Sequence, residues 1–281
     1  MNIIEQVLSL QKKTGSLPAA SPISEHTAKE RPMKIAISGK GGVGKTTIMA
    51  MLAKHLQKQG REVLLIDADP SPHMAQSIGI ETVEKIVPIA DMKEMLVERS
   101  GKVDGSPFYN INPQVDDLLA RYIVEKDGIK LMVLGAIQTA KGGCACPENT
   151  VLKRLLTKLL LSPSQVVLLD MEAGVEHLGR GTIAGIDHLL IVVIPSKSGM
   201  RTALKIKQLA EESGIPRISF VGNLVQNEED RAFLASGLGE APIACFPDSS
   251  AIRRTERDGR AVIDALAEVE ESTAAVLQKI F

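Results

Sequence analysis

The sequence predicts an α/β protein built on a single doubly wound, mostly parallel sheet flanked by helices. Short, near-continuous apolar runs recur along it: MKIAIS, REVLLID, IKLMVLG, QVVLLD, HLLIVVI and RISFVG. Strands covered on both faces read in this way. Between and after these runs lie stretches of helical periodicity, at Thr46–Gln59, Thr150–Leu161, Met200–Gly214 and Val262–Phe281. Strand–helix alternation implies parallel pairing through right-handed crossovers. The chain of 281 residues is long enough to bury a large core without disulfide staples.

Taken in order, the segment Gln11–Pro32 is polar, contains Pro and Ser, and lacks apolar periodicity. Residues 1–32 are therefore expected to form a flexible N-terminal extension, and residues 33–281 the α/β domain. MKIAIS opens the domain as a strand. In the helix that follows, Met49, Leu52, Ala53 and Leu56 share one face, and Gly60 stops it. REVLLID is the second strand. Glu84–Gly128 is less regular and is expected to insert helices and loops between two sheet strands. No internal repeat is present.

Composition excludes several classes of function. Lys and Arg number 33 against 34 Asp and Glu, for a net charge of −1, which argues against a general electrostatic grip on nucleic acid. Aromatic residues make up 2% and Trp is absent, so base-stacking platforms are disfavoured. No run reaches the length of a membrane span. The opening MNIIEQVLSL has no cationic start and carries Glu5 and Gln6, unlike a secretory signal. Three cysteines, an odd number with two close together, fit a reducing compartment rather than an oxidised scaffold. A cytoplasmic protein without nucleic-acid or membrane partners is expected.

The most specific local signal is Gly39-Lys40-Gly41-Gly42-Val43-Gly44-Lys45-Thr46, a G-x-x-x-x-G-K-[ST] loop between a predicted strand and a predicted helix. Glycines let backbone N–H groups turn inward around a phosphate, and the helix N-terminus adds a favourable dipole. Lys45 is placed to reach the β- and γ-phosphates, the Thr46 hydroxyl to sit on Mg²⁺, and Thr47 to extend the cradle. These features predict a P-loop NTPase.

Lys40, directly after the first glycine, adds a second motif. G-K-G-G-V-G-K-T-T resembles the deviant Walker A loop of the MinD/ParA/nitrogenase-iron-protein class of ATPases. The resemblance implies that Lys40 crosses a dimer interface to the partner's nucleotide, where a cation delivered in trans stabilises charge on the transferring phosphoryl group. Asp67-Ala68-Asp69-Pro70 resembles the D-x-D-P switch of that class, with Asp67 helping to hold Mg²⁺ and Asp69 orienting the attacking water. VVLLD, ending in Asp170, has the Walker B pattern; Asp170 and the following Met171-Glu172-Ala173-Gly174 would contact Mg²⁺ water and sense the γ-phosphate. Asn223 resembles the class's base-reading asparagine, and Cys245-Phe246-Pro247-Asp248 its second adenine contact, so Phe246, Pro247 and Asp248 join the expected nucleotide site. No guanine-reading N-K-x-D is present, and ATP is the expected nucleotide.

Gly142-Gly143-Cys144-Ala145-Cys146-Pro147-Glu148-Asn149 precedes an amphipathic helical segment. Two cysteines at C-x-C spacing on a helix-entry loop can face one point, and the helix terminus favours thiolate. Soft-metal thiolate sites want four ligands, a number two chains can supply together. Cys144 and Cys146 are accordingly candidate ligands for Ni²⁺, Zn²⁺, Cu⁺ or an iron–sulfur cluster at a twofold interface. Cys245 reads as a buried small hydrophobe. GGCACPENTVLKRLL, LLDMEAGVEHLGRGT and NINPQVDDLLARYIVEKDGIKLMVLG together resemble the CooC-type carbon monoxide dehydrogenase accessory ATPases, over nearly the whole chain from Met33. That resemblance implies an ATP-dependent, homodimeric nickel-insertion chaperone for a nickel–iron–sulfur client, with Cys144 and Cys146 binding metal between subunits and ATP, metal or both promoting the dimer. The alternatives are an iron–sulfur cluster carrier or reductase ATPase, and a positioning ATPase of the MinD/ParA kind. The latter is disfavoured by the near-neutral charge and the mostly acidic C-terminal helix.

Overall fold

The computed structural model describes residues 32–69, 73–102, 110, 112–135, 147–160, 166–171 and 185–281. Residues 1–31 of the expected N-terminal extension lie outside the described residues. The described residues form a sheet of eight strands in the order β3-β4-β2-β5-β1-β6-β7-β8. These are β1 (Met33–Gly39), β2 (Val63–Ala68), β3 (Val124–Lys126), β4 (Ile129–Val133), β5 (Val166–Met171), β6 (His188–Val193), β7 (Ile218–Val225) and β8 (Ala244–Pro247). All neighbouring pairs are parallel except β3 with β4. A doubly wound, mostly parallel sheet is therefore what the sequence folds into.

Successive side chains of a strand point to opposite faces, and the apolar runs exploit both. Ile35 and Ile37 of β1 enter one core cluster while Ala36 enters the other; Val63 and Leu65 of β2 divide from Leu64 and Ile66 in the same way. One face is covered by α1 (Lys45–Lys58), α2 (Met74–Ser77) and α9 (Glu270–Ile280). The other is covered by α3 (Lys93–Arg99), α4 (Asp116–Tyr122), α5 (Pro147–Leu160), α6 (Lys197–Glu212) and α7 (Glu228–Leu238). Helix α8 (Ser250–Arg257) follows β8 and packs Ile252 on the α1 side. Among the described residues no helix is long and apolar enough to cross a membrane.

Two segments depart from expectation. The irregular Glu84–Gly128 region ends in a strand, β3, which pairs with β4 through Asp127 and Gly128. Both of these residues have positive φ, 49° and 80°, the geometry of a two-residue type I′ hairpin turn, for which Asp-Gly is the favoured sequence. The expected helix Val262–Phe281 is a 3₁₀ segment, Val262–Val269, followed by α9. Ile263, Leu266 and Val269 are all buried; at spacing three they eclipse in a 3₁₀ winding and form a single apolar ridge against the α1 side.

His188, at the start of β6, is buried with its Nε2 2.9 Å from the Ser219 hydroxyl. Burial, aided by the Arg217 charge, lowers its pKa to about 4. Below about 6.5, the ordinary histidine value, the unfolded chain takes up a proton that the folded chain refuses until about pH 4. This stabilising contribution is complete above pH 6.5 and is lost as the pH falls toward 4. Thermal unfolding of wild type and His188→Gln at pH 7 and pH 5 measures it. The variant is expected to lose less stability on acidification, and parallel losses would exclude the assignment.

Candidate nucleotide site

The chain leaves β1 toward β2 on one side and later passes from β5 to β6 across it. The carboxyl ends of strands at such a reversal are where α/β sheets bind ligands. Gly39 closes β1, and the loop to α1 follows directly. A Cβ at Gly39 would meet the Val192 carbonyl oxygen at 2.5 Å, so only glycine lets β1 turn there beside β6. Gly44, at φ +87°, is the N-cap of α1. A Cβ on it would collide with the side-chain amide of Asn223, whose Nδ2 donates to the Val43 carbonyl at 2.8 Å. Asn223 thus clamps the loop from β7.

Lys45 and Thr46 open α1 at the floor of this loop. Lys45 is buried, and Thr46 Oγ1 donates to Asp170 Oδ2 at 2.6 Å. Asp67 and Asp170 are register partners on the adjacent strands β2 and β5, and both are buried. Asp67 accepts backbone N–H bonds from Asp69 at 3.2 Å and Met74 at 3.1 Å, tying the end of β2 to the start of α2. Burial raises its pKa against those amides. Asp170 Oδ1 is buried and finds no hydrogen-bond partner among the described residues. Burial, with Asp67 beside it, pushes the Asp170 pKa up to about 7 against the lowering by Thr46. An orphaned carboxylate oxygen next to a threonine hydroxyl and a second carboxylate suits a hard divalent cation such as Mg²⁺.

A cavity of about 620 Å³ opens over the loop, a size ordinary for a small-molecule site. Gly41, Gly42, Gly44, Lys45, Thr46, Thr47 and Asp69 form one part of its wall; Glu256, Arg260 and Val262, from α8 and the segment after it, form another. Lys40 is exposed, and its Nζ donates to Ser198 Oγ at 3.1 Å, at the start of α6.

The structure thus brings together Gly39–Thr47, Asp67, Asp69 and Asp170. The expected adenine contacts lie on β7 and at or just after the end of β8. Asn223 spends its amide on the loop, Phe246 is buried in the core, Pro247 is exposed, and Asp248 pairs with Arg253. None of the four lines the cavity. Cys144 and Cys146 lie outside the described residues, as do Pro70 and Glu172–Gly174. Cys245 is buried, with burial raising its thiol pKa. Glu256 and Arg260 were invisible in sequence because they follow no recognisable spacing from the loop.

Residues 34–269 match the CobQ/CobB/MinD/ParA nucleotide binding domain. The chain belongs to that family. It is 39% identical over 237 residues to the carbon monoxide dehydrogenase accessory protein CooC of Rhodospirillum rubrum, spanning 83% of this chain and 90% of that one. It is 37% identical over 254 residues to an ATP-binding protein of Methanocaldococcus jannaschii, spanning 89% and 96%. Its fold resembles that of a ParA family ATPase from Chlorobium tepidum, with a TM-score of 0.62 at 20% identity over 86% of this chain and 96% of that one. It also resembles MinD from Pyrococcus horikoshii solved with Mg-ADP, at a TM-score of 0.63 and 17% identity over 89% and 96%. As a member of this P-loop family the protein is an ATPase.

A raised carboxylate pKa is a cost of folding at neutral pH. The unfolded chain ionises near 3.8 and the folded one near 7, so the penalty grows between those values and is constant above them. Asp170→Asn is therefore expected to stabilise the nucleotide-free protein at pH 8, on the order of 2 kcal/mol, with the gain shrinking toward pH 4 while Mg²⁺-dependent hydrolysis is lost. Chemical denaturation across that pH range checks it; a variant no more stable than wild type at pH 8 would overturn the reading.

Proposed function

We propose that this protein is a dimeric, ATP-hydrolysing accessory protein that carries a soft metal ion between its subunits and assists insertion into carbon monoxide dehydrogenase or a similar nickel–iron–sulfur enzyme. The observation that carries this reading is the occurrence, in one chain, of C-x-C-P-E-N with a phosphate loop bearing the early Lys40, alongside 39% identity to a carbon monoxide dehydrogenase accessory protein. Nickel is the proposed cargo, with zinc able to occupy the same thiolates.

The ATPase half of the reading follows from the site. The loop amides and Lys45 hold the phosphates, Thr46 and Asp170 would hold Mg²⁺ with Asp67 beside them, and Asp69 orients water at the cavity wall. Mg²⁺ bound with ATP would neutralise charge on the β- and γ-phosphates. Among the described residues Lys40 is held by one neutral hydroxyl acceptor, Ser198. Exchanging that exposed hydrogen bond, worth about 1 kcal/mol, for a phosphoryl group of a second subunit is favourable for a cation. Hydrolysis then depends on dimerisation.

The metal half follows from ligand arithmetic. Cys144 and Cys146 immediately precede α5 in sequence, and two thiolates per chain become four in a twofold dimer. ATP would draw the subunits and their cysteine pairs together, and hydrolysis would loosen them. This is a two-state switch biased by contacts to the γ-phosphate.

Two measurements test the proposal. Metal analysis of protein loaded with nickel or zinc, with and without ATP and Mg²⁺, is expected to give about one ion per dimer, and none in Cys144→Ser/Cys146→Ser. Retention by the double variant would exclude the thiolate site, and a broad visible band near 400 nm (roughly) would mark a cluster instead. Lys40→Ala is expected to bind ATP like wild type yet hydrolyse it at least about 100-fold more slowly. Unchanged turnover would remove the role in trans.

A further inference from the structure

Two neighbouring helices beside the phosphate loop start with charges of opposite sign. Strands β6, β7 and β8 are parallel neighbours, so the helices that connect them, α6 and α7, both start at the carboxyl edge of the sheet, and they pack against each other. Helix α6 starts with Lys197; Arg201 and Lys205 follow one and two turns on, and all three are exposed. Its first turn holds no acid, so Lys197 opposes the helix dipole with nothing local to offset it. Lys207 is spent on Glu211 and Glu240, whereas no carboxylate among the described residues pairs with Lys197, Arg201 or Lys205. Helix α7 starts with Glu228, Glu229 and Asp230, the first two exposed. Arg231 answers Glu228 at 3.7 Å, and Glu229 is in no ion pair among the described residues. Apolar surface collects on the same elements. Of the five exposed large apolar side chains among the described residues, Leu204 is on α6, Leu224 on β7 and Phe233 on α7. Exposed apolar side chains rimmed by charge mark a contact surface.

The geometry points to this face as complementary to itself: the cationic start of α6 pairs with the acidic start of α7 of a second copy, and Leu204, Leu224 and Phe233 are covered between them. The inference deepens the dimer reading given above and rests on it. In a twofold contact every residue pair occurs twice. A face that carries both signs on adjacent elements therefore attracts its own copy, where a face of one sign would repel it. A second copy is favoured over DNA or an anionic membrane because the acids of α7 lie beside the cations and would be pressed against phosphate. Leu224 holds its exposed place at φ 55°, a conformation that leucine avoids and that a covered apolar side chain would repay. Lys40 stands at the margin of the same face, its Nζ on Ser198 in the first turn of α6. Closing this contact thus brings Lys40 toward the other subunit.

Sedimentation of the full chain with Mg²⁺, nickel and the ATP analogue AMPPNP tests the assignment. Wild type is expected to dimerise. Lys197→Glu/Arg201→Glu and Glu228→Lys/Glu229→Lys should each dimerise at least about tenfold more weakly, because like charges then meet twice. Mixed one to one, the two variants should form a heterodimer about as tight as wild type. The reversed α6 then meets the reversed α7 at one contact, and the native helices meet at the other. Leu224→Gly, which relieves the left-handed backbone, should keep or raise the melting temperature of the nucleotide-free chain while weakening dimerisation about tenfold. Dimerisation of both charge-reversed variants at wild-type strength would overturn the proposal, as would no recovery on mixing or a Leu224→Gly chain that dimerises like wild type. Co-sedimentation with DNA or anionic vesicles that Lys197→Glu/Arg201→Glu abolishes, with dimerisation intact, would assign the face to phosphate instead. Failure of wild type to dimerise would overturn the dimer reading on which the proposal rests.

Discussion

Two carboxylates side by side at the carboxyl ends of adjacent parallel strands set the terms for the rest of the site. Asp67 and Asp170 are register partners and both are buried, an arrangement that costs free energy unless charge of opposite sign or hydrogen-bond donors reach it. The fold meets part of that demand with the Asp69 and Met74 amides on Asp67 and the Thr46 hydroxyl on Asp170. One oxygen of Asp170 is left without a partner among the described residues. The unmet part of the demand is where binding free energy is available: a ligand that brings a divalent cation relieves a strain the free protein carries. Each of the donors that soften the site belongs to a segment that borders the cavity, namely the start of α1, the end of β2 and the start of α2.

This dependence explains why the glycines and Asn223 are placed as they are. Thr46 reaches Asp170 only if α1 starts where it does, and α1 starts there because Gly44 takes a left-handed conformation that leaves room for the Asn223 amide. Asn223 then holds the Val43 carbonyl, which prevents the loop from lifting off β7. The backbone just after it is strained, with Leu224 at φ 55° beside a register irregularity between β7 and β8. A left-handed leucine is costly, and its local effect is to keep Asn223 turned inward beneath the loop while Leu224 faces out. The clamp and the strain are parts of one device.

Much of this was legible in the sequence because the chemistry is local. Gly39–Thr47 encodes its own turn and helix start, and Asp67 and Asp170 end apolar strands whose parallel pairing the alternation of elements already implies. The β3–β4 turn was also written plainly, as Asp127-Gly128, but an irregular neighbourhood concealed it. What could not be read were contacts between segments distant in sequence. Thr47 meets Glu256 across 209 positions, and no periodicity links them. The same holds for Asn223, whose amide is turned to the loop rather than to the cavity. Residue type marked it as a candidate, but only the packing of β7 against Val43 reveals the hydrogen bond its amide makes. The 3₁₀ winding of Val262–Val269 was hidden because spacings of three and of three to four overlap over eight residues.

The two halves of the proposed function meet in the core on the far side of the sheet from α1. Leu169 and Met171, flanking Asp170 on β5, belong to one buried cluster with Val151, Leu152, Leu155, Leu156 and Leu159 of α5. Helix α5 begins at Pro147, directly after Cys146 in sequence. Close-packed interiors transmit displacement poorly as gradual deformation but well as a shift between two packings. A change in how Asp170 is held, as nucleotide and cation come and go, would therefore act on a strand whose neighbouring side chains share one buried cluster with the helix that follows the cysteine pair. If cargo release is driven by hydrolysis as proposed, this cluster is one apolar region that contains side chains of both elements. On that proposal, a cavity-forming change at Leu155 or Leu156 is expected to uncouple metal release from turnover without touching either ligand.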